Sequence, residues 1–351
     1  MKPKPPRSWF ATLSHQASSM TPYWHRQTQL AHQFLTLQSP QSRWLSSPIP
    51  NIESCSTTQF CRRLNHRIDE DRTSEPIRSY GLWRWCQHEG VSIQTMLERL
   101  NCSDFTRVHR FHAQLLDPHQ KAALTTVDAM SWAQMAITPY TAQDALALIL
   151  AFWESTDTAS ATWLQQLIDR QRLIISNADT DSAWCLDTPF GAYVYLDYQP
   201  DLHHLMTLIH ELGHARHQDW HRQSSSRPLR VIEKETAALS AEHTLLNWLE
   251  HQPEPFPCAV RAYRIYLNIE MTARQWMLSQ FEYDLYQLDA ITPEGITVLW
   301  CQHLQNYCGP QVELESDDIQ AWRTLPQLIT APFYRLSYPL AYARVFNVRT
   351  A

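Results

Sequence analysis

The sequence predicts a mainly α-helical protein with a small β-sheet beside the helix that carries its most informative motif. Only 6 of the 351 residues are glycine, and Gln, Leu and Ala are frequent, which favours helices over turn-rich β architecture. Apolar residues recur at helical spacing in several segments, whereas Gly191–Tyr198 alternates with a period of two, as a strand does. With 44% hydrophobic residues, the chain can bury a substantial core.

The first part of the chain predicts short helices separated by loops. Residues 1–78 are rich in Ser, Gln, Arg and Pro. Short helices are indicated around Trp9-Phe10 and Phe34-Leu35, and a loop is indicated over Ser46–Thr58. A helical pattern of apolar positions then runs over Tyr80–Leu100.

Two further helices are predicted before the strand. The segment Thr141-Ala142-Gln143-Asp144 resembles a capping box with Asp in place of Glu, and it opens an apolar helix that runs through Phe152. Another helix is expected over Ser160–Arg172.

Helices dominate the sequence after the strand. One is expected from about Asp201 to His221, and a second runs to about Glu250. A proline-rich break at Pro253–Pro257 separates them from a long helix over about Ala259–Leu288, and Pro293 opens another.

The most informative motif is His210-Glu211-Leu212-Gly213-His214. Residues four apart lie on one face of a helix, so His210 and His214 can present two imidazoles to one metal ion. Glu211 would reach the open side of the metal, where a general base takes a proton from bound water. His217 lies on the same face.

A third protein ligand is expected, because zinc in hydrolases usually takes three and keeps a fourth position for water. Glu235, 21 residues past His214, leaves room for a loop and a return helix. Glu242 lies two turns further along the same face and could hold a ligand His by its second ring nitrogen. Glu233 is a weaker ligand candidate, and the alternative is that all three acids form a solvated helix face.

These residues resemble the thimet oligopeptidase and oligoendopeptidase F family of zinc metallopeptidases, of the gluzincin type. That family has the pattern His-Glu-x-Gly-His-x-x-His, matched here by His210–His217. Further on it has a ligand Glu and a second Glu seven positions later, matched by Glu235 and Glu242. One mild departure is Ala238, where the family usually has Ser.

The resemblance implies a site built on one Zn²⁺ per chain, held by His210, His214 and Glu235. In such a site Glu211 takes a proton from the metal-activated water and later delivers it to the leaving amine.

A Tyr-rich segment, Phe333–Ala343, resembles the one that faces the metal in that family. Tyr338 and Tyr334 are the candidates to stabilise the oxyanion, because a phenol O–H donates without carrying charge. Which of the two does so stays open, and amphipathic core packing is the alternative for both. The family carries a His, implicated in substrate binding, shortly before this segment. Ile329 stands there in this chain, and no His follows His303.

The resemblance covers roughly residues 180–351 and implies a shortened family member. It implies a zincin-like catalytic lobe over residues 121–351 and a reduced, partly irregular N-terminal helical region over residues 1–120. The other segments with counterparts in the family are Ser182–Cys185, Gly191–Tyr198, Arg274–Glu282 and Asn306–Pro310.

The strand Gly191–Tyr198 has two interpretations. As a sheet edge next to the zinc it could pair with an extended peptide by main-chain hydrogen bonds. As a simple buried strand it could not.

Charge and composition restrict the remaining function classes. The formal net charge of −6 gives no electrostatic argument for nucleic acid or an anionic membrane. The start, Met1–Arg7, lacks a following apolar region and does not indicate a secretory signal, and no apolar run reaches the length of a membrane span. The eight cysteines include no Cys-x-x-Cys pair, so free thiols and a cytoplasmic location are expected.

The sequence therefore predicts a zinc-dependent metalloendopeptidase that hydrolyses peptide bonds in oligopeptides or unfolded segments, with no nucleic-acid or membrane partner. Two alternatives stay open: a dedicated peptidase that processes one precursor, and a non-catalytic peptide-binding relative. Intact His210, Glu211, His214 and Glu235 argue against the second, since such a relative is free to lose its general base. Cleavage preference and oligomeric state are not determined by the sequence.

Overall fold

The structure is a computed structural model, and it describes ten ranges of the chain. They are residues 56–73, 80–101, 104–115, 141–176, 183–188, 190–225, 227–253, 256–310, 312–325 and 327–346. The helices predicted around Trp9-Phe10 and Phe34-Leu35 lie outside these ranges, as does most of the predicted loop over Ser46–Thr58. The end of that loop prediction is wrong, because Thr57 begins a helix.

The described chain is mainly helical, as predicted, with one small sheet. The α-helices are α1 (Thr57–Thr73), α2 (Tyr80–Glu89), α3 (Ile93–Asn101), α4 (Thr106–Leu115), α5 (Ala142–Thr156), α6 (Thr158–Asp169), α7 (Leu202–Ser224), α8 (Val231–Leu249), α9 (Phe256–Ile269), α10 (Gln275–Leu285), α11 (Pro293–Cys308), α12 (Ser316–Gln320), α13 (Gln327–Thr330) and α14 (Ser337–Phe346). The strands are β1 (Leu173–Ser176), β2 (Ala183–Thr188) and β3 (Gly191–Asp197). A π-helical segment (Glu270–Arg274) joins α9 to α10, and 3₁₀ turns cover Ala321–Thr324 and Tyr334–Leu336.

Local capping sets several helix ends. The predicted capping box of α5 is confirmed: the Thr141 hydroxyl accepts from the Asp144 amide at 3.2 Å, and the Asp144 carboxylate accepts from the Thr141 amide at 3.1 Å. The single helix predicted over Tyr80–Leu100 is wrong, because it is two helices, α2 and α3. Gly90, at φ 67°, adopts the left-handed conformation that ends α2.

The described residues 141–225 form one compact unit. Its sheet has the order β1-β3-β2, with β1 parallel and β2 antiparallel to β3. Helix α7 packs on β2 and β3. The interpretation of Gly191–Tyr198 as a sheet edge is therefore wrong, because β3 is hydrogen-bonded on both sides. The buried-strand interpretation agrees with its largely buried side chains.

The described residues 56–115 and 227–346 form a second compact unit. Helix α8 packs along α14, and α10 packs against α11 and the 3₁₀ turn Tyr334–Leu336. The long helix predicted over about Ala259–Leu288 is present as α9, the π-helical segment and α10. The predicted division of the chain at residue 120 stays a prediction. None of the described helices has both the length and the apolar character that a membrane span requires.

Candidate metal centre

Helix α7 presents the His-Glu-x-x-His motif from a well-anchored position. Its N-cap is Asp201, whose carboxylate accepts from the His204 amide at 2.8 Å and lies 2.8 Å from the His204 Nδ1. A full apolar stripe of the helix is buried, namely Leu205, Met206, Leu208, Ile209 and Leu212. Burial of that stripe fixes the rotation of the helix and so the direction of the motif.

The motif brings two imidazoles together one turn apart. The ring centroids of His210 and His214 are 4.7 Å apart, with their planes at 87°. His214 and Glu211 are buried, and His210 is partly exposed. The His217 ring lies near the rings of Trp220 and His221, at centroid distances of 6.1 and 6.2 Å.

A buried aspartate near the end of α7 fixes this helix to the sheet. Asp219 accepts hydrogen bonds from the Ala192 amide of β3 at 2.9 Å, the Trp163 indole at 3.1 Å and the Arg172 guanidinium at 3.1 Å. Burial raises the pKa of Asp219, but these bonds and the positive charge of Arg172 outweigh burial and leave the pKa below its ordinary value.

Helix α8 begins against a carboxylate from α2. The buried Glu89 side chain accepts from the amides of Val231 and Ile232 at 3.0 and 2.9 Å. These amides are among the first of α8, which have no partner within the helix, and a negative charge there also favours the helix dipole.

The acids of α8 occupy different environments. Glu235 and Glu242 are only 1% and 3% exposed, so the interpretation of all three acids as a solvated helix face is wrong. The Tyr263 hydroxyl donates to Glu242 at 3.4 Å. Glu233 instead forms a two-pronged ion pair with Arg227, which lowers the pKa of Glu233 to about 2.

The two candidate tyrosines make different contacts. The Tyr334 hydroxyl donates to Oε1 of Glu235 at 2.5 Å. The Tyr338 ring lies edge-on to that of Tyr334, with centroids 5.7 Å apart. Tyr342, one turn further on, accepts from the Asn268 amide group at 3.1 Å.

The first residue of the Tyr-rich segment, Phe333, has a left-handed backbone conformation. Phe333 is fully buried at φ 60° and ψ 9°, a conformation that costs a bulky residue about 1–2 kcal/mol. Its amide donates to the buried Glu282 carboxylate at 2.9 Å. Sequence reasoning gave Glu282 no role, although the residue ends a segment that resembles the family.

One group of three possible metal ligands occurs among the described residues. One ligand atom each of His210, His214 and Glu235 lies within 4.8 Å of the other two. Two imidazole nitrogens and a carboxylate oxygen are a donor set that catalytic zinc accepts.

Comparisons with known proteins identify the fold. No protein-family model and no curated protein matches the sequence. A solved structure described as "putative peptidase from Chlamydophila abortus" matches with a TM-score of 0.58 and 16% identity, over 82% of this chain and 50% of that one. A second, described as "putative Oligoendopeptidase F", matches with a TM-score of 0.55 and 14% identity, over 94% of this chain and 71% of that one.

The chain spans about half the length of the first structure. Its mainly helical fold is that of the second, the one described as "putative Oligoendopeptidase F". The fold implied by the sequence resemblance is confirmed.

Proposed function

We propose that this protein is a zinc-dependent metalloendopeptidase that hydrolyses peptide bonds in oligopeptides or unfolded segments. The observation that carries the proposal is the meeting of His210, His214 and Glu235 ligand atoms within 4.8 Å, with the buried Glu211 next to the first of them. The shared fold supports the same proposal, since the two matched structures are described as a "putative peptidase" and a "putative Oligoendopeptidase F".

The donor set fits the proposed metal. Catalytic zinc sites of the His₂Glu type use these ligands and leave one position for water, and Mn²⁺ or Co²⁺ can occupy a similar set. When bound, such an ion lowers the pKa of water and polarises the peptide carbonyl.

The protein residues divide the remaining work. The carboxylate of Glu211 accepts a proton from the attacking water and then passes this proton to the leaving amine nitrogen. Tyr334 orients Glu235 through the 2.5 Å hydrogen bond, as partners of ligand carboxylates do. Tyr338 donates its phenol O–H to the oxygen that becomes negative during attack.

Metal content and the Glu211→Gln substitution test the proposal together. Purified wild-type protein is expected to contain about one zinc per chain and to cleave a quenched fluorescent peptide library. Glu211→Gln should retain the zinc and lose at least about 100-fold in kcat, because general-base catalysis contributes about 10²–10⁴-fold. Glu154→Gln removes an exposed acid from α5 and should cleave normally.

A matched pair on α8 tests the third ligand. Glu235→Ala should lower the zinc content measured by mass spectrometry, whereas Glu233→Ala should not, since Glu233 is bound to Arg227. Equal zinc in the two variants would remove Glu235 from the ligand set. Full zinc in the wild type without cleavage of any peptide would point to a binding protein instead.

A further inference from the structure

A partly buried arginine, Arg335, follows Tyr334 directly in the chain. Arg335 donates to two neutral amide oxygens, that of Gln327 at 2.9 Å and that of Gln275 at 3.5 Å. Its Nε is buried and has no acceptor among the residues that the structure describes. A buried charged donor whose hydrogen-bond partners are all neutral is unusual, because burying a cation costs free energy that a direct ion pair normally offsets.

The carboxylates around Arg335 are engaged elsewhere. Glu270 accepts from Arg274 at 3.4 Å and from Gln275 at 2.7 Å. Glu282 accepts from the Phe333 amide at 2.9 Å. Within the described part of the chain, no carboxylate forms an ion pair with Arg335. Burial lowers the pKa of Arg335, and the positive charge of Arg274 adds to this effect, while the nearby Tyr338, Glu282 and Glu270 oppose it.

Arg335 directly follows a residue that contacts the candidate site. Tyr334, its neighbour, is hydrogen-bonded to the ligand Glu235, and the ring of Tyr338 packs edge-on to that of Tyr334. The buried, left-handed Phe333 fixes the backbone just before this turn. Arg335 is partly exposed as a residue, although its Nε is buried.

We propose that Arg335 binds a carboxylate of the peptide substrate, so that the site prefers peptides with a free C-terminal carboxylate or an acidic side chain on the leaving side of the cleaved bond. This inference rests on the proposed peptidase function and names its substrate class. A substrate carboxylate supplies the direct ion pair that no described residue forms with Arg335, and the planar fork of a guanidinium matches two carboxylate oxygens.

The test measures binding, so that it does not depend on turnover. Zinc-loaded full-length Glu211→Gln is titrated with one fluorescent peptide in two forms, the free C-terminal acid and the C-terminal amide. A second pair exchanges Glu for Gln within the peptide. A hydrogen bond to a charged group is worth about 1.5–3 kcal/mol, so the carboxylate form of at least one pair should bind about 10- to 100-fold more tightly than its neutral partner.

Three added substitutions identify the residue responsible. Arg335→Gln should abolish the preference, and Arg335→Lys should keep part of it because the charge remains. Arg344→Gln removes one exposed positive charge from α14 and should leave the preference intact. Thermal unfolding checks that each variant is folded.

The outcomes separate this inference from the proposed function. Equal binding of both forms in both peptide pairs would overturn it, and so would no binding of any peptide or a preference that survives Arg335→Gln. A binding preference that Arg335→Gln abolishes supports the inference, even if the wild type cleaves no peptide. Absence of cleavage would count against the peptidase proposal alone.

Discussion

The roles proposed for the hydroxyl groups of Tyr334 and Tyr338, in metal binding and in transition-state stabilisation, can be tested separately. Tyr334→Phe removes the hydrogen bond to Glu235, so zinc affinity should fall by about 10-fold or more. Tyr338→Phe should leave zinc affinity unchanged and lower kcat by about 100-fold, as loss of one oxyanion donor does. Competition with a chromophoric chelator measures the affinity. If Tyr338→Phe loosens zinc and Tyr334→Phe does not, the two roles are exchanged.

Residues close in sequence were easier to predict than residues that meet only through folding. The spacing of His210, Glu211 and His214 is a property of one helix, so it could be predicted from the motif. The hydrogen bond from Tyr334 to Glu235 joins positions 99 apart in the chain. A local sequence pattern cannot predict a contact over that separation. The family resemblance indicated only that Tyr334 or Tyr338 stabilises the oxyanion.

At the scale of elements, the start of α8 depends on one buried side chain. Glu89→Ala removes the acceptor of the Val231 and Ile232 amides, which then stay buried without a partner. The free energy of unfolding should fall by about 2 kcal/mol, measured by urea denaturation. Glu98→Ala, an exposed acid on α3, should change it by less than about 0.5 kcal/mol. Equal stability of the two variants would contradict the capping role.

Helix ends that carry a capping residue or a proline were predicted better than interruptions that lack such a signal. The capping box of α5 and the proline that opens α11 are local signals, and both mark the observed starts. The split between α2 and α3 depends on Gly90, whose left-handed conformation is one of several that glycine allows. The π-helical segment Glu270–Arg274 has no sequence signature distinct from the α-helix around it.

At the scale of the whole chain, the fold class was predictable because composition and one resemblance agreed. The order of the strands in the sheet was not predictable. Strand β1 has only four residues, and it pairs in parallel with β3 although β2 lies between the two in the chain. Parallel pairing depends on non-local contacts, which hydrophobic periodicity does not encode.

Acid should destabilise the protein through carboxylates whose pKa values folding lowers. Asp219 is one, held by Ala192, Trp163 and Arg172. Because its folded pKa lies below the unfolded value of about 3.9, its stabilising contribution is complete above that pH. The contribution is lost as the pH falls toward the folded value, since the unfolded chain then binds the proton more readily.

The free energy of unfolding of metal-free protein should therefore decrease from about pH 4.5 downward, and Asp219 alone can contribute at most about 1.4 kcal/mol per pH unit. Asp219→Asn should lower stability by about 3 kcal/mol near neutral pH, because it leaves the buried Arg172 uncompensated, and should flatten the acid dependence. Asp169→Asn, at an exposed site on α6, should retain the wild-type slope. Urea denaturation with a chelator present at each pH keeps metal release out of the measurement. A wild-type slope in Asp219→Asn would show that other carboxylates cause the acid loss.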